Sequence, residues 1–197
     1  NNPSGMVFPA SLLKAINQLC KDRGIYHISD EAYEYFLYEG ETHFSPGSLP
    51  GSKDHTFSLF SLSKAYGFAS WRIGYMVMPP ALMPSIKKIQ DTNLICAPVI
   101  SQFAAIKALH YGKSYCTQHL TSMSSVRRQI LEGLQSLHPF IRIIPSKGAF
   151  YVLIELDLDE PPLDVVETLI RNHRIAVIPG NAFGLDRGCF LRIAFGA

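Results

Sequence analysis

The sequence predicts an α/β fold in which a mainly parallel β-sheet is covered by helices on both faces. Segments with helical spacing of apolar residues alternate with short, almost continuously apolar runs. Such runs are typical of strands in parallel sheets that are buried on both faces. Of the 197 residues, 47% are hydrophobic and 17% are charged, a composition that argues against disorder. A chain of this length forms one large domain or two small ones.

The first half of the chain carries the elements that predict the sheet. Apolar residues at helical spacing predict a helix over 10–23, and Gly24 follows where a helix end favours glycine. A buried strand over 25–29 leads into Asp30, and ligands of parallel sheets bind at the carboxyl ends of strands. Further patterns predict strands over 57–60 and 73–78 and helices over 81–92 and 97–111.

The second half of the chain changes character. A long helix is predicted over 114–137, and it ends near His138. We expect a domain boundary near residue 112, so that residues 1–112 belong to a large domain and 113–197 to a small α/β domain. The small domain is predicted to contain strands over 141–145, 149–156, 175–180 and 189–195 and a helix over 162–174.

Charge and cysteine content exclude several classes of partner. The 18 basic and 16 acidic residues leave a formal charge of +2, which gives no case for binding nucleic acid or an anionic membrane. No apolar run reaches the about eighteen residues that a membrane span needs. The cysteines never pair as CxxC, so we expect reduced thiols in a cytoplasmic protein and no metal site. They are Cys20, Cys96, Cys116 and Cys189.

Two short stretches carry residues suited to chemistry. Asp30 and Tyr33 follow the first strand, and Lys64 lies between hydroxyl residues with Arg72 eight positions later. Hydroxyls and a guanidinium bind phosphate, and a lysine near a fixed cation becomes a nucleophile toward carbonyls. Each part also has an ordinary explanation, such as a surface turn, a helix cap or an exposed ion pair. The joint spacing favours a phosphate-anchored site.

These motifs, in this order, resemble the class I/II aminotransferases, which are pyridoxal-phosphate enzymes of fold type I. The resemblance covers essentially the whole chain, but the family is about twice this length. It therefore implies the C-terminal half of such an enzyme, with part of the large cofactor-binding domain followed by most of the small one. The segments that carry the resemblance are Asn2-Pro3-Ser4-Gly5, Asp30-Glu31-Ala32-Tyr33, and residues 61–75, 177–184 and 190–195.

The resemblance also implies a role for each matched residue. Lys64 would form a Schiff base with the cofactor aldehyde and then move the proton between the substrate Cα and the cofactor. Asp30 would face the pyridine nitrogen and keep it protonated, which makes the ring an electron sink. The remaining roles are Tyr33 and Asn2 at the phenolate oxygen, Ser61, Ser63 and Arg72 at the phosphate, and Arg192 at the substrate α-carboxylate.

The implied function is transfer of an amino group between an amino acid and a 2-oxo acid, by a homodimer. We expect the 197 residues alone to be inactive, because half of such an enzyme leaves strand edges and an apolar face unpaired. Two alternatives stay open. The same cofactor supports β-elimination, decarboxylation or the reaction of an ACC-synthase-like enzyme. An aminotransferase-like sensor domain also occurs in transcription regulators, where a helix-turn-helix would lie upstream.

Overall fold

The chain forms two compact units in this computed structural model, which describes residues 1–196. The first unit consists of residues 8–35 and 42–118. The second unit consists of residues 1–7, 36–41 and those from His119 onward. The domain boundary near residue 112 stays a prediction.

The first unit is built on a three-stranded sheet of order β1-β2-β3. β1 and β2 are parallel, as the sequence predicts, whereas β3 runs antiparallel to β2. Residues 62–73 connect β2 to β3 and contain no helix longer than four residues, so they do not form the helical crossover that usually joins parallel strands. The elements are α1 (Ala10–Arg23), β1 (His27–Asp30), β2 (Thr56–Ser61), α2 (Leu62–Ala65), β3 (Gly74–Val77), α3 (Met83–Asn93) and α4 (Val99–Tyr111).

Local sequence explains how these elements begin and end. α1 follows Pro9 and ends at Gly24, which adopts the left-handed conformation with φ 62°. Lys21 and Arg23 in its last turn complement the helix dipole. β3 begins at Gly74, where a Cβ would lie 2.5 Å from the carbonyl oxygen of Phe60. β2 and β3 can therefore meet this closely only because residue 74 is glycine.

The first unit has a small core and a large exposed apolar surface. The buried core residues are Leu62, Ala65, Tyr66, Ala105 and Cys116. β1 has only one neighbouring strand among the described residues. Ile28 on β1 is 65% exposed and Phe103 on α4 is 64% exposed.

The second unit contains a four-stranded antiparallel sheet of order β4-β5-β7-β6. Its core packs around Val152 and Ile154 of β5 and Leu191 of β7. The predicted helix over 162–174 is α-helical to Thr168 and continues as a π-helical turn over Leu169–His173. α5 (Ser114–Gln135) begins in the first unit and continues into the second. The other elements of the second unit are β4 (Ile141–Ile143), β5 (Tyr151–Leu156), α6 (Pro162–Thr168), β6 (Ile178–Pro179) and β7 (Cys189–Ala194).

Within residues 1–196, none of the helices has the length and apolar character needed to cross a membrane.

Candidate active site

Three chain segments with polar side chains meet at one edge of the first unit's sheet. In the parallel β1–β2 pair, Asp30 is in register with Leu59, so both strands end at the same edge. In the antiparallel β2–β3 pair, Ser61 is in register with Gly74, so β3 begins where β2 ends. Strand register therefore brings Asp30, the turn that carries Lys64, and Arg72 to this edge.

Lys64 lies in α2, the single turn of helix directly after β2. Ser61 is the N-cap of this turn, and its Oγ accepts a hydrogen bond from the Ser63 backbone N–H at 3.2 Å. Leu62 and Ala65 are buried, and the Cys116 thiol donates to the carbonyl oxygen of Ala65. The turn is thus fixed at both ends, whereas Lys64 itself is exposed.

Asp30 is the last residue of β1, and its side chain is exposed. Its Oδ1 accepts a hydrogen bond from the Ala32 backbone N–H at 3.2 Å, which closes the turn after the strand. Tyr33 lies in this turn and is partly buried. The turn therefore presents a carboxylate and a phenol within a few residues of the strand end.

Arg72 precedes β3 and has a left-handed backbone conformation with φ 50°. Its Nη1 donates to the carbonyl oxygen of Ala69 at 2.7 Å. The side chain is exposed, and a single N–H of the guanidinium makes this bond. Its backbone lies near the end of β2, where the Leu62 N–H donates to the carbonyl oxygen of Ile73 at 3.4 Å. A guanidinium together with hydroxyls is the combination that binds a phosphate group.

A buried carboxylate beside Asp30 was not assigned a role from the sequence. Glu31 is 3% exposed, and its Oε2 lies 2.7 Å from Nε2 of His43. Its Oε1 accepts a hydrogen bond from the Ser45 hydroxyl at 2.8 Å. The sequence contained a signal for Glu31. Successive side chains along a strand point to opposite faces, so the acidic residue directly after Asp30 is expected to point away from it. His43 and Ser45 gave no such signal, since they reach Glu31 only through the loop before β2.

In the second unit, Arg192 and Asn2 are hydrogen-bonded to each other. Nη1 of Arg192 donates to Oδ1 of Asn2 at 2.9 Å. The guanidinium carbon lies 4.4 Å from the centre of the Tyr151 ring and 4.9 Å from that of Phe183. Nε of Arg192 is buried and has no hydrogen-bond partner among the described residues. The guanidinium is thus held in one plane by two aromatic rings and an amide.

The loop that carries Asn2 is fixed by its own glycine. Gly5 has φ 68°, and its carbonyl oxygen accepts hydrogen bonds from the backbone N–H groups of Lys147 and Gly148. The hydroxyl of Ser4 donates to Oδ1 of Asn1 at 2.9 Å. Because Asn2 accepts from Arg192 through its oxygen, its amide N–H₂ can still donate to another group.

No group of three or more His, Cys, Asp or Glu side chains within residues 1–196 is arranged to hold a metal ion.

Comparisons with known proteins match the chain along its whole length. A family model described as aminotransferase class I and II matches residues 1–197. An aromatic aminotransferase of Arabidopsis thaliana is 38% identical, and the alignment covers 99% of this chain and 48% of that protein. A probable aspartate/prephenate aminotransferase of Aquifex aeolicus is 32% identical, with 99% of this chain and 50% of that protein covered.

Solved structures are similar over the same extent. An aromatic aminotransferase from Pyrococcus horikoshii has a TM-score of 0.92 and 28% identity, and the match covers 100% of this chain and 53% of that one. An aspartate aminotransferase variant from Thermus thermophilus has a TM-score of 0.91 and 30% identity, with 100% and 50% covered. The chain therefore spans about half the length of the relatives that it matches.

Proposed function

Because this chain belongs to the class I and II aminotransferase family, we propose that it is part of a pyridoxal-phosphate-dependent amino acid aminotransferase. The proposed reaction moves an amino group between an amino acid and a 2-oxo acid, with Lys64 joined to the cofactor as a Schiff base. The observation that carries the proposal is the β1–β2 register, which brings Asp30 and the Lys64 turn to one edge of the sheet.

The residues at this edge fit the charged groups of pyridoxal phosphate. Bound there, the cofactor would supply a cationic ring that withdraws electrons from the substrate. The phosphate would be held by Arg72 and by the hydroxyls of Ser61 and Ser63. Ser61 accepts from the Ser63 backbone, so its own O–H can still donate to a phosphate oxygen.

Three side chains would handle protons in this proposal. The Asp30 carboxylate would keep the ring nitrogen of the cofactor protonated, and the Tyr33 hydroxyl would donate a hydrogen bond to the phenolate oxygen. The Lys64 amine would move the proton between the substrate Cα and the cofactor carbon, in one direction with the amino acid and in the other with the 2-oxo acid. A lysine on a short, well-anchored turn suits this role because general acid–base catalysis needs a fixed geometry.

The second unit supplies two further residues to the proposal. Arg192 binds the substrate α-carboxylate through paired N–H groups, a geometry that a guanidinium held in one plane favours. Asn2 would donate its amide N–H to the phenolate oxygen of the cofactor. Its hydrogen bond with Arg192 leaves this amide group able to donate.

The relatives suggest which substrates to test first. They are named as aromatic and as aspartate/prephenate aminotransferases, so we propose aromatic amino acids and aspartate as amino donors. From the family resemblance we also propose a homodimer in the cytoplasm, with residues 1–112 in the large domain and 113–197 in the small one. We propose that these 197 residues are inactive alone, because the relatives contain about as much chain again.

The test is a Lys64→Ala substitution in the natural full-length protein, with Lys53→Ala as the control. Lys53 is an exposed lysine of the same unit, in the turn before β2. We expect Lys64→Ala to lower transamination of tyrosine and aspartate by about three orders of magnitude or more and to remove the visible absorbance of bound cofactor. Normal turnover by Lys64→Ala would contradict the proposal. Release of ammonia or of a decarboxylated amine would instead favour a lyase or a decarboxylase.

A further inference from the structure

Glu31 directly follows Asp30 in the sequence, and its carboxylate is buried whereas that of Asp30 is exposed. Glu31 is 3% exposed. His43 contacts its Oε2 at 2.7 Å, and the Ser45 hydroxyl donates to its Oε1 at 2.8 Å. The Ser58 hydroxyl on β2 lies 3.4 Å from that of Ser45 and helps to lower the pKa of this carboxylate. We call Glu31, His43, Ser45 and Ser58 the Glu31 cluster.

The Glu31 cluster stabilises a buried charged side chain, whose burial costs more free energy than that of an apolar side chain. Burial raises the pKa of Glu31, but the hydrogen bonds from His43, Ser45 and Ser58 outweigh burial and hold the pKa below its ordinary value. A buried carboxylate is costly unless donors surround it. This carboxylate is surrounded, so its geometry is narrowly defined.

Two contacts join the position of Glu31 to that of Asp30. The Glu31 backbone N–H donates to the carbonyl oxygen of Leu59 at 2.9 Å, and Leu59 is the residue in register with Asp30. The Glu31 side chain is held by Ser45, whose hydroxyl contacts that of Ser58, the neighbour of Leu59 on β2. The peptide between Asp30 and Glu31 is therefore tied to β2 through both its backbone and a side chain.

Few contacts of the Asp30 side chain fix the direction of its carboxylate. Among the described residues, its side chain accepts one hydrogen bond, from the Ala32 N–H to Oδ1 at 3.2 Å, within the same turn. An exposed carboxylate at a strand end takes its direction from the backbone that carries it. Small errors in such a direction matter, because a misplacement of about 1 Å in a catalytic group can cost about a hundredfold in rate.

We propose that Glu31 is a positioning residue, which fixes the backbone beneath Asp30 and so directs the Asp30 carboxylate toward the cofactor ring nitrogen. This inference rests on the proposed function. Glu31 does not touch the cofactor or the substrate and acts only through Asp30. The residues that hold it, His43 and Ser45, share this indirect role.

The first experiment compares Glu31→Gln with Glu34→Gln in the natural full-length holoenzyme. Both substitutions remove one carboxylate from the turn after β1, but Glu34 is not a member of the Glu31 cluster. We expect Glu31→Gln to lower kcat by about 10- to 100-fold, as loss of a supporting hydrogen-bond partner does at other sites, and to change KM by less than about threefold. Glu34→Gln should keep kcat within about threefold of the natural protein.

The second readout follows the cofactor itself. The pH midpoint of its visible absorbance should move in Glu31→Gln in the same direction as in Asp30→Asn, and by a smaller amount. A lower kcat with an unmoved midpoint would overturn the inference, because a merely structural defect does not change how Asp30 meets the ring. An unmoved midpoint with a normal kcat would overturn it too.

A further pair of variants keeps the inference testable if Glu31→Gln does not fold. Ser45→Ala removes one donor and leaves the carboxylate in place, whereas Ser48→Ala removes an exposed hydroxyl from the adjacent turn. Ser45→Ala should move the absorbance midpoint in the direction of Asp30→Asn, and an unmoved midpoint would overturn the inference. Should Lys64→Ala and Asp30→Asn retain transamination, the proposed function itself fails. Should they abolish it while Glu31→Gln and Ser45→Ala match the natural protein, only the positioning role fails.

Discussion

The second unit holds the guanidinium of Arg192 in one orientation. It lies on β7, in register with Leu153 of β5 and Ile178 of β6. The rings of Tyr151 and Phe183 hold the guanidinium plane, and Asn2 accepts from one edge of it. Such a group suits the two oxygens of a carboxylate, whereas a lysine amine offers only a point charge.

We therefore expect Arg192→Lys to lower kcat/KM for the amino donor by about 10- to 100-fold in the natural full-length protein. This range corresponds to loss of one charge-assisted hydrogen bond, about 1.5–3 kcal/mol. Arg171→Lys is the control, since Arg171 is exposed and forms an ion pair with Glu167 one helical turn away. Steady-state kinetics measure the effect. Equal kcat/KM values for the two variants would exclude carboxylate binding by Arg192.

The pKa shifts of Glu31 and Glu34 are opposite in direction, so we expect the two residues to have opposite effects on how stability depends on pH. The folded pKa of Glu31 lies below its ordinary value of 4.5, because the hydrogen bonds to its carboxylate outweigh burial. Its contribution is present above about pH 5.5 and is lost as the pH falls through 4.5 toward the folded pKa. Burial raises the pKa of Glu34, so the folded state favours its protonated form and gains stability as the pH falls.

The measurement is urea unfolding of the natural protein, Glu31→Gln and Glu34→Gln between about pH 6 and pH 3.5. The difference in unfolding free energy between the natural protein and Glu31→Gln should shrink as the pH falls. The unfolding free energy of the natural protein, relative to that of Glu34→Gln, should rise as the pH falls. Parallel curves for the two variants would contradict these pKa directions.

Among the structural elements, the turn around Gly5 depends most directly on one residue. Gly5 has φ 68°, and an added Cβ would overlap the Ser146 hydroxyl and lie 2.6 Å from the Tyr151 carbonyl oxygen. Gly184, in the same unit, has φ 77° but no atom within 4 Å of an added Cβ. The two glycines therefore separate backbone strain from steric overlap.

Gly184→Ala should cost about 1–2 kcal/mol of unfolding free energy, the strain of a left-handed alanine. Gly5→Ala should cost about 1–3 kcal/mol more, because packed atoms must move to admit the methyl group. Urea unfolding of both variants of the natural full-length protein measures the difference. Equal losses of unfolding free energy in the two variants would mean that the atoms around Gly5 move aside for the methyl group without a penalty.

The elements were predictable where they are long and periodic. α1 and its terminal Gly24 were expected over the residues that the structure shows, because the apolar spacing and the glycine agree. α2 was missed because a four-residue helix has no period to detect. Strand order and the direction of β3 were also beyond the sequence, since register depends on which strands pair.

At the scale of the whole chain, the order of motifs was readable but the contacts that join distant segments were not. The second unit unites residues 1–7, 36–41 and those from 119 onward. Its links include Arg192 to Asn2 and Lys147 to Glu41, pairs that are 190 and 106 positions apart. Neither pair has a local pattern, because complementary side chains at such separations are brought together only by the fold. The Glu31 cluster was missed for the same reason.

Arg127 joins these distant segments more tightly than any surface charge can. It is buried on α5 and donates from Nε to the carbonyl oxygen of Ser146 at 3.0 Å and from Nη2 to Glu39 at 2.9 Å. Its guanidinium carbon lies 5.1 Å from the centre of the Tyr38 ring. The adjacent Arg128 is 71% exposed and reaches Glu132 only at 4.0 Å, which makes it a matched control.

Arg127→Ala should lower the unfolding free energy by about 3 kcal/mol, because it leaves the buried carbonyl oxygen of Ser146 without its donor and removes the contact with the Tyr38 ring. Arg128→Ala should change it by less than about 0.5 kcal/mol, as is usual for an exposed ion pair. Hydrogen exchange of the natural full-length protein adds a local measurement: peptides that cover residues 36–41 and 143–148 should exchange faster in Arg127→Ala and at the natural rate in Arg128→Ala. If both variants exchange alike over these peptides, the three segments of the second unit are held together without Arg127, and apolar packing around Val152 carries that task alone.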